Sequence, residues 1–436
     1  MVGDIGKKFT STWLKYRPYF KNMVEYFGAS LIPIAISILA NPIFASFLSP
    51  RDYAIVGFFS SFNPLISPFV IFNVLHYYQK MYFQLGEDKS EELKGQITHS
   101  LFYFSLIQAA IAGLGLFLYT AVISPDGDMS FFPYGVLALL PLWFGNFYSF
   151  KCVDLKMQRQ SRSFLKINIL NSVFTVGSSL LLVAVFHFGA AGKMVGALLG
   201  PAIMFFIVFK DYKKYLKIPV DKGHFKDMIV FCAPLVLAAM LGFFTNGYDR
   251  VCLQKVVPIE TLGYYSVGCT IALHLRDFST AVNNTFAPDI YQSIVQKHYA
   301  KMLKIVMVKL ALASFVAILF ILFSKVLIYL LTAGRYMTSL PYMRIIALVS
   351  ITSTIYYSLE DIFVASGFTR LMLLNNIIGG ACCILIYRLF INVWQAVGAS
   401  WALVFSYLVL SLAGTAMLGI HRIKPIMAHL KKGRNN

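Results

Sequence analysis

Arg276 and Asp277 stand side by side in the middle of a long apolar stretch, residues 262–290, LGYYSVGCTIALHLRDFSTAVNNTFAPDI. Adjacent residues on a helix point roughly 100° apart, so the two cannot easily neutralise each other, and each needs its own partner or water. A guanidinium there can hold an anionic group, and the carboxylate can take a proton or a cation. Wound at 3.6 residues per turn, the stretch places Ile271, Leu275, Phe278, Val282 and Phe286 on one stripe. The far side collects Asp277, Thr280 and Asn284, with His274 at one margin and Arg276 and Asn283 at the other. A charge at the centre of a bilayer costs about 2.5–3.5 kcal/mol. The polar side is therefore expected to face protein or a water-filled cavity. The competing reading is a structural ion pair that locks this stretch to a neighbour.

Other residues offer weaker chemistry. Glu360 and Asp361 are adjacent acids near one end of a later apolar stretch. They read either as candidates, with Asp277, for binding a coupling proton or cation, or as acids that reach the membrane interface. Lys325, Arg344 and Arg388 lie in the outer parts of apolar stretches, where long cationic side chains snorkel to the headgroups. Asn41, Asn63, Asn73 and Asn246 are read first as hydrogen-bonding contacts between helices, with Asn41 and Asn246 kept as candidate ligand contacts. Pro33, Pro42, Pro64, Pro68, Pro234 and Pro288 predict bends suited to moving helices, or ordinary packing.

Several chemistries are excluded. Gly192-Lys193 is followed by Met194 where a phosphate loop requires Ser or Thr. Asp126-Gly-Asp128 is an outer turn in preference to a metal pair. Cys152, Cys232, Cys252, Cys269, Cys382 and Cys383 show neither metal-ligand spacing nor a disulfide framework, and read as small apolar filler. No nucleophilic triad or zinc spacing stands out, and no cofactor is expected.

The elements that position these residues follow from composition. The 436 residues are 58% hydrophobic and only 13% charged, against about 25% charged in soluble domains. The chain is therefore an integral membrane protein, all-α, with about twelve transmembrane helices. The expected spans are 27–48, 53–77, 97–123, 131–150, 167–186, 194–209, 228–247, 262–290, 305–331, 341–366, 371–391 and 397–420, each near the ~20 residues a bilayer requires. Residues 1–26 form a basic cytoplasmic lead-in without a cleavage site, and 421–436 a basic cytoplasmic tail.

Lys and Arg set the orientation. With both termini and the even-numbered loops on one side, that side holds 28 of the 38 basic residues. The opposite loops hold five, namely Arg51, Lys193, Arg250, Lys255 and Arg335. The net charge of +19 thus belongs at the phospholipid surface, and no nucleic-acid partner is expected. Both termini are expected in the cytoplasm and every outer loop is short, which disfavours an outer catalytic domain.

The halves are weakly alike. SPRDYAIV at 49–56 and PIETLGYY at 258–265 each end one span and begin the next with a Pro-polar-acidic turn. An even number of spans separates them, so both cross in the same direction. That is a parallel repeat with its pseudo-two-fold axis along the membrane normal, giving an N-lobe at 27–218 and a C-lobe at 219–420.

FLSPRDYAIVGF at 47–58, YDRVCLQKVVPIETLGYYSVGCTIA at 248–272, AVNNTFAPDIYQ at 281–292 and VGASWALVFSYLV at 397–409 carry a family resemblance. The chain resembles the polysaccharide-biosynthesis flippases of the O-antigen (Wzx) type, within the multidrug/oligosaccharidyl-lipid/polysaccharide exporter superfamily. The resemblance covers nearly the whole chain, with degenerate motifs. It implies two six-helix lobes around a cavity that opens alternately to each face, the arrangement of multidrug (MATE-like) exporters. It implies a lipid-linked oligosaccharide as cargo, carried on a polyprenyl pyrophosphate, and a cationic cavity that maps onto Arg276 and Arg250. It also implies polysaccharide polymerase and glycosyltransferase partners, an address in the cytoplasmic (inner) membrane, and proton or sodium coupling as the candidate energy source. The physics agrees with the cargo, because a sugar chain with a pyrophosphate cannot cross hydrocarbon uncompensated.

Three other readings stand beside it. A MATE-like organic-cation antiporter would want an acidic, aromatic cavity. A membrane polysaccharide polymerase or ligase would want a catalytic constellation. A lipid-II-type flippase would want about fourteen spans.

Overall fold

A computed structural model describes residues 28, 31–82, 87–123, 127–296 and 298–432, with the side chains of 87–90, 277, 281, 284, 288, 295, 369 and 420–432 outside that description. The lead-in 1–26, Asp126, and the tail's side chains therefore lie outside the described residues. Among the described residues the chain is helical and has no strand.

The first helices are α1 (Leu31–Phe47), α2 (Pro50–Ser61), α3 (Asn63–Ile71) and α4 (Val74–Tyr82). Next come α5 (Glu87–His99) and α6 (Ser105–Leu118), joined through a π turn, then α7 (Val136–Met157), α8 (Ser161–Leu180) and α9 (Gly189–Tyr212). α10 (Lys222–Leu241), α11 (Phe243–Asn246) and α12 (Tyr248–Leu253) lead to α13 (Ile259–Val295), the 37-residue helix that carries Arg276. The chain closes with α14 (Tyr299–Leu322), α15 (Ser324–Thr332), α16 (Leu340–Ala347), α17 (Val349–Ala365) and α18 (Thr369–Lys432). Non-helical angles at Gln395 divide α18 into two helices.

Among the described residues, each of the twelve expected spans falls mainly on helix. Eight helices among the described residues are long and apolar enough to cross a membrane, or nine if α2 and α3 form one bent span. The count falls short of twelve for identifiable reasons. α18 holds two expected spans in one 50-residue stretch, Arg370–Gly419, and α1 is short. α13 is not among the eight, and its polar side lowers its hydropathy.

Four expected spans are broken, among them 228–247 at Gly242 and 305–331 at Phe323. Residues 53–77 form three helices, with a 42° bend at Phe62 and a second break at Phe72 and Asn73, both at positive φ. Residues 341–366 break at Leu348. Conversely, α13 runs through Pro288 without a break, so the bend expected there is not found.

By packing, the chain forms two units. The first comprises residues 1–47 and 67–235 and the second 48–66 and 236–436. In the first unit, aromatic rings dominate the core. Phe205 stacks on Phe209 with centroids 4.9 Å apart, and Phe209 on Phe102 at 5.4 Å. α9 approaches α8 on Gly196 and Gly200, where a Cβ would overlap Ser179 and Thr175. Ser178 Oγ donates to the Gly196 carbonyl at 3.0 Å across that seam. Lipid tails are as apolar as Leu, so membrane helices gain most by such close approach of small residues. Large side chains turn outward instead, as Ile107, Ile111 and Leu114 of α6 do.

In the second unit, α13 is the hub. α2 begins with a capping box in which Ser49 accepts from the Asp52 amide and Asp52 accepts from the Ser49 amide at 2.8 Å. α13 begins after Pro258, with Glu260 in its first turn. The two similar turns are thus both helix starts, and the helices they begin pack together. A Cβ on Gly263 would overlap the Pro50 carbonyl, and one on Gly57 would overlap Ser266. At the other edge, the halves of α18 fold back at Gln395. Phe390 meets Phe405 at 5.3 Å, and a Cβ on Gly379 would overlap Leu410.

Candidate functional site

Arg276 sits half-buried on α13 and donates through Nη1 to Asn246 Oδ1, at the end of α11. Tyr407, on the second half of α18, donates to that same oxygen at 2.8 Å. Asn246 Nδ2 donates to the Gly242 carbonyl at 3.0 Å. Both ends of the amide are therefore engaged, and its oxygen faces the guanidinium. Tyr357 of α17 lies beside Tyr407, centroids 6.4 Å apart, and close to Arg276.

The cluster continues along α17. The Tyr356 ring meets Tyr407 at 5.7 Å, and its hydroxyl lies 2.6 Å from Glu360 Oε1 and 2.8 Å from Asn376 Oδ1. One hydroxyl proton serves one acceptor at a time. The Asn376 amide, whose two ends are assigned by such networks, can supply the other donor by turning over. Arg276, Asn246, Tyr407, Tyr356, Glu360 and Asn376 thus form one polar set drawn from the expected seventh, eighth, tenth, eleventh and twelfth spans. A guanidinium and the hydroxyls of Tyr356 and Tyr407, with Tyr357 alongside, can bind an anionic or polyhydroxyl group by charge-assisted and neutral hydrogen bonds.

Asp361 turns elsewhere. Its Oδ2 lies 3.4 Å from Nζ of Lys309 on α14, a lysine whose side chain is fully buried. Both acids of the Glu360–Asp361 step therefore have protein partners.

The remaining expected residues are placed as follows. Thr280 is exposed and back-bonds to the Arg276 carbonyl at 3.0 Å, and His274 is half-buried. The side chains of Asp277 and Asn284 lie outside the described residues. Asn283 is 5% exposed with both amide ends unpaired, so it sits in a packed seam and not at an open margin. The buried stripe of α13 is Ile271, Leu275, Ser279 and Asn283, whereas Phe278 is exposed. Beyond Leu275 the buried side passes to small and polar residues while the large apolar Phe278 turns out.

Arg250, counted from sequence in an outer loop, lies instead on α12 and is 8% exposed. Its Nη1 is 3.8 Å from Asp249 Oδ1, and Tyr265 donates to the other oxygen of Asp249 at 2.7 Å. It belongs to a buried pair beside Gly57 and Ser266. Asn41 lies half-buried on α1, in the first unit. Lys325, Arg344 and Arg388 are exposed, and Arg344 Nε donates to Ser324 at 2.7 Å.

Sequence reasoning missed Lys309, the tyrosines, and a hub in the first unit. Asp154 is 4% exposed there and accepts from Tyr78 at 2.6 Å, Tyr212 at 2.9 Å and Gln158 at 2.9 Å, with Lys94 at 3.4 Å.

Many apolar helices carrying an interior polar set define a multi-pass membrane protein. The chain belongs to the family of polysaccharide biosynthesis proteins, which it matches over residues 43–341, so the resemblance read from its motifs holds at family level. A search of curated proteins finds no match. Among solved structures, the lipid II flippase MurJ in an inward closed conformation is similar with a TM-score of 0.69 and 13% identity, over 91% of this chain and 87% of that one. An inward-facing multidrug resistance MATE family transporter of the MOP superfamily gives 0.70 and 14%, over 92% and 99%. A MOP superfamily transporter from Pyrococcus furiosus, titled for the reversed polarity of its binding pocket, gives 0.59 and 14%, over 93% and 96%. At these identities the likeness shows the fold.

Proposed function

We propose that this protein is a flippase. It moves a polyprenyl-pyrophosphate-linked oligosaccharide from the inner to the outer leaflet of the cytoplasmic membrane by alternating access, for surface polysaccharide or O-antigen synthesis. Both termini lie in the cytoplasm, and the pathway's glycosyltransferases and polymerase supply and consume the cargo. The observation that carries the reading is Arg276, a cation held amid apolar helices by Asn246 within a cluster of tyrosines. It offers a pyrophosphate a charged donor while the tyrosine hydroxyls suit sugars and the prenyl tail stays in lipid. Membership of the polysaccharide family supports the cargo class. Arg250, paired with Asp249, supports this site as a packing residue.

The tyrosines and Glu360 also favour a second reading, an ion-coupled exporter of organic cations, since aromatic faces and a carboxylate bind such cations. Purified protein in liposomes separates the two. Wild type is expected to carry fluorescent lipid-linked glycan across the bilayer and to leave a cationic dye untransported. Dye transport without glycan transport would reverse the assignment. Glycan elongation in the same vesicles would instead point to a polymerase.

A further inference from the structure

We infer that Lys309 is a tethered counter-cation that withdraws Asp361 from ion exchange, and that Glu360, its neighbour in sequence, takes up and releases the coupling proton. This rests on the transport reading above and names its coupling residue.

The two acids are adjacent yet differently held. Asp361 faces a covalently attached ammonium 3.4 Å away. A mobile cation arriving there would meet a like charge already in place. A proton on Asp361 would strand a buried ammonium with no counter-charge. Lys309 is fixed in that position because it continues the buried stripe Lys309, Ala313 and Ala317 of α14. Ala317 shares a core cluster with Leu275 of α13 and Ala347 of α16, so the stripe is held against neighbouring helices.

Glu360 meets neutral groups. As a carboxylate it accepts from the Tyr356 hydroxyl and from the Asn376 amide. As an acid it donates to Asn376 Oδ1. Either state keeps hydrogen-bond partners, which an exchangeable proton site requires. The groups that face it are Tyr356, Tyr357 and Asp361 of its own helix, Tyr291 of α13, Lys309 of α14 behind Asp361, and Asn376 with Tyr407 of α18. Arg276 of α13 lies beyond Tyr357. Gain or loss of the proton, taken from and returned to water, resets the Tyr356 hydroxyl. Tyr356 packs on Tyr407, whose hydroxyl shares Asn246 Oδ1 with Arg276. The middle contact is ring on ring, so the signal is a displacement of the arginine's holder and not a proton hop.

Infrared difference spectroscopy of the reconstituted protein on acidification tests this without any cargo. A protonated-carboxyl band is expected in wild type, lost in Glu360→Gln, and kept in Asp361→Asn combined with Lys309→Met. The double variant is used because Lys309→Met alone leaves a buried carboxylate unpaired. A band that survives in Glu360→Gln, or that vanishes in the double variant, overturns the inference. In glycan-carrying liposomes, Glu360→Gln should lose the stimulation that an imposed proton gradient gives, and the double variant should retain it; the opposite pattern also overturns the inference. Wild type that moves no glycan would remove the transport reading, and the infrared band would still decide for or against Glu360.

Discussion

At the scale of single residues, Arg276 was legible because a charge at mid-span stands out against its neighbours. Its partner was not. Asn246 lies thirty positions earlier with no spacing rule joining the two, and the tyrosines looked like ordinary span aromatics. A charged hydrogen bond contributes about 1.5–3 kcal/mol, so Arg276→Ala should weaken glycan binding roughly 10- to 150-fold. Arg276→Lys should recover only part, since the planar fork is lost. Binding measured on folded, monodisperse variants checks this, and unchanged affinity would remove Arg276 from the site. Lys309 left only the faint trace of Ala313 and Ala317 at four-residue spacing. Removing one member of a buried ion pair costs about 3–5 kcal/mol, whereas removing both is often near neutral. Lys309→Met should therefore unfold at markedly lower temperature than wild type, and Lys309→Met with Asp361→Asn should return close to it. A double variant as unstable as the single one would mean the pair does not compensate.

At the scale of elements, the start of α2 could be read directly. Ser49, Pro50 and Asp52 form a turn whose capping follows from residue type, and its partner before α13 was found by likeness to it. Breaks were harder to read. Phe72, Asn73, Phe323 and Leu348 interrupt helices without proline or glycine at the break, whereas the bend at Phe62 comes just before Pro64 and α10 ends at Gly242; Pro288 is carried inside an unbroken helix, because tertiary contacts outweigh local preference. The face of α13 was partly misread for the same reason: Ser279 and Asn283 take the seam and Phe278 turns out. The close approach of α2 to α13 gives a direct check. Gly57→Val should lower the yield of folded, monodisperse protein, since even its Cβ would overlap Ser266. A Gly57→Val variant as stable as wild type would show that the two helices do not meet there.

For the whole molecule, helical membrane architecture was evident from 58% hydrophobic residues against 13% charged. The number of crossings was less so, because α13 gives up hydropathy to hold its polar side. The 28-to-5 distribution of basic residues predicts sidedness. A cysteine replacing Lys214, in the turn after α9, should react with an impermeant maleimide only from the cytoplasmic face, and one replacing Arg335 only from outside. Reversed labelling would invert the proposed direction of transport. The division into units could not be foreseen from span order, since residues 48–66 pack with 236–436 while 1–47 and 67–235 pack together.

That grouping sets a timetable for biosynthesis. α2 leaves the ribosome some two hundred residues ahead of α13, the helix its glycine face must meet, and translation at about 5–20 residues per second spans that distance in roughly 10–40 s. For that interval the small-residue face of α2 waits in the bilayer unfilled, as a target for a wrong neighbour or an insertion chaperone. Slowing translation after residue 66 should lengthen the wait and lower the yield of correctly assembled protein.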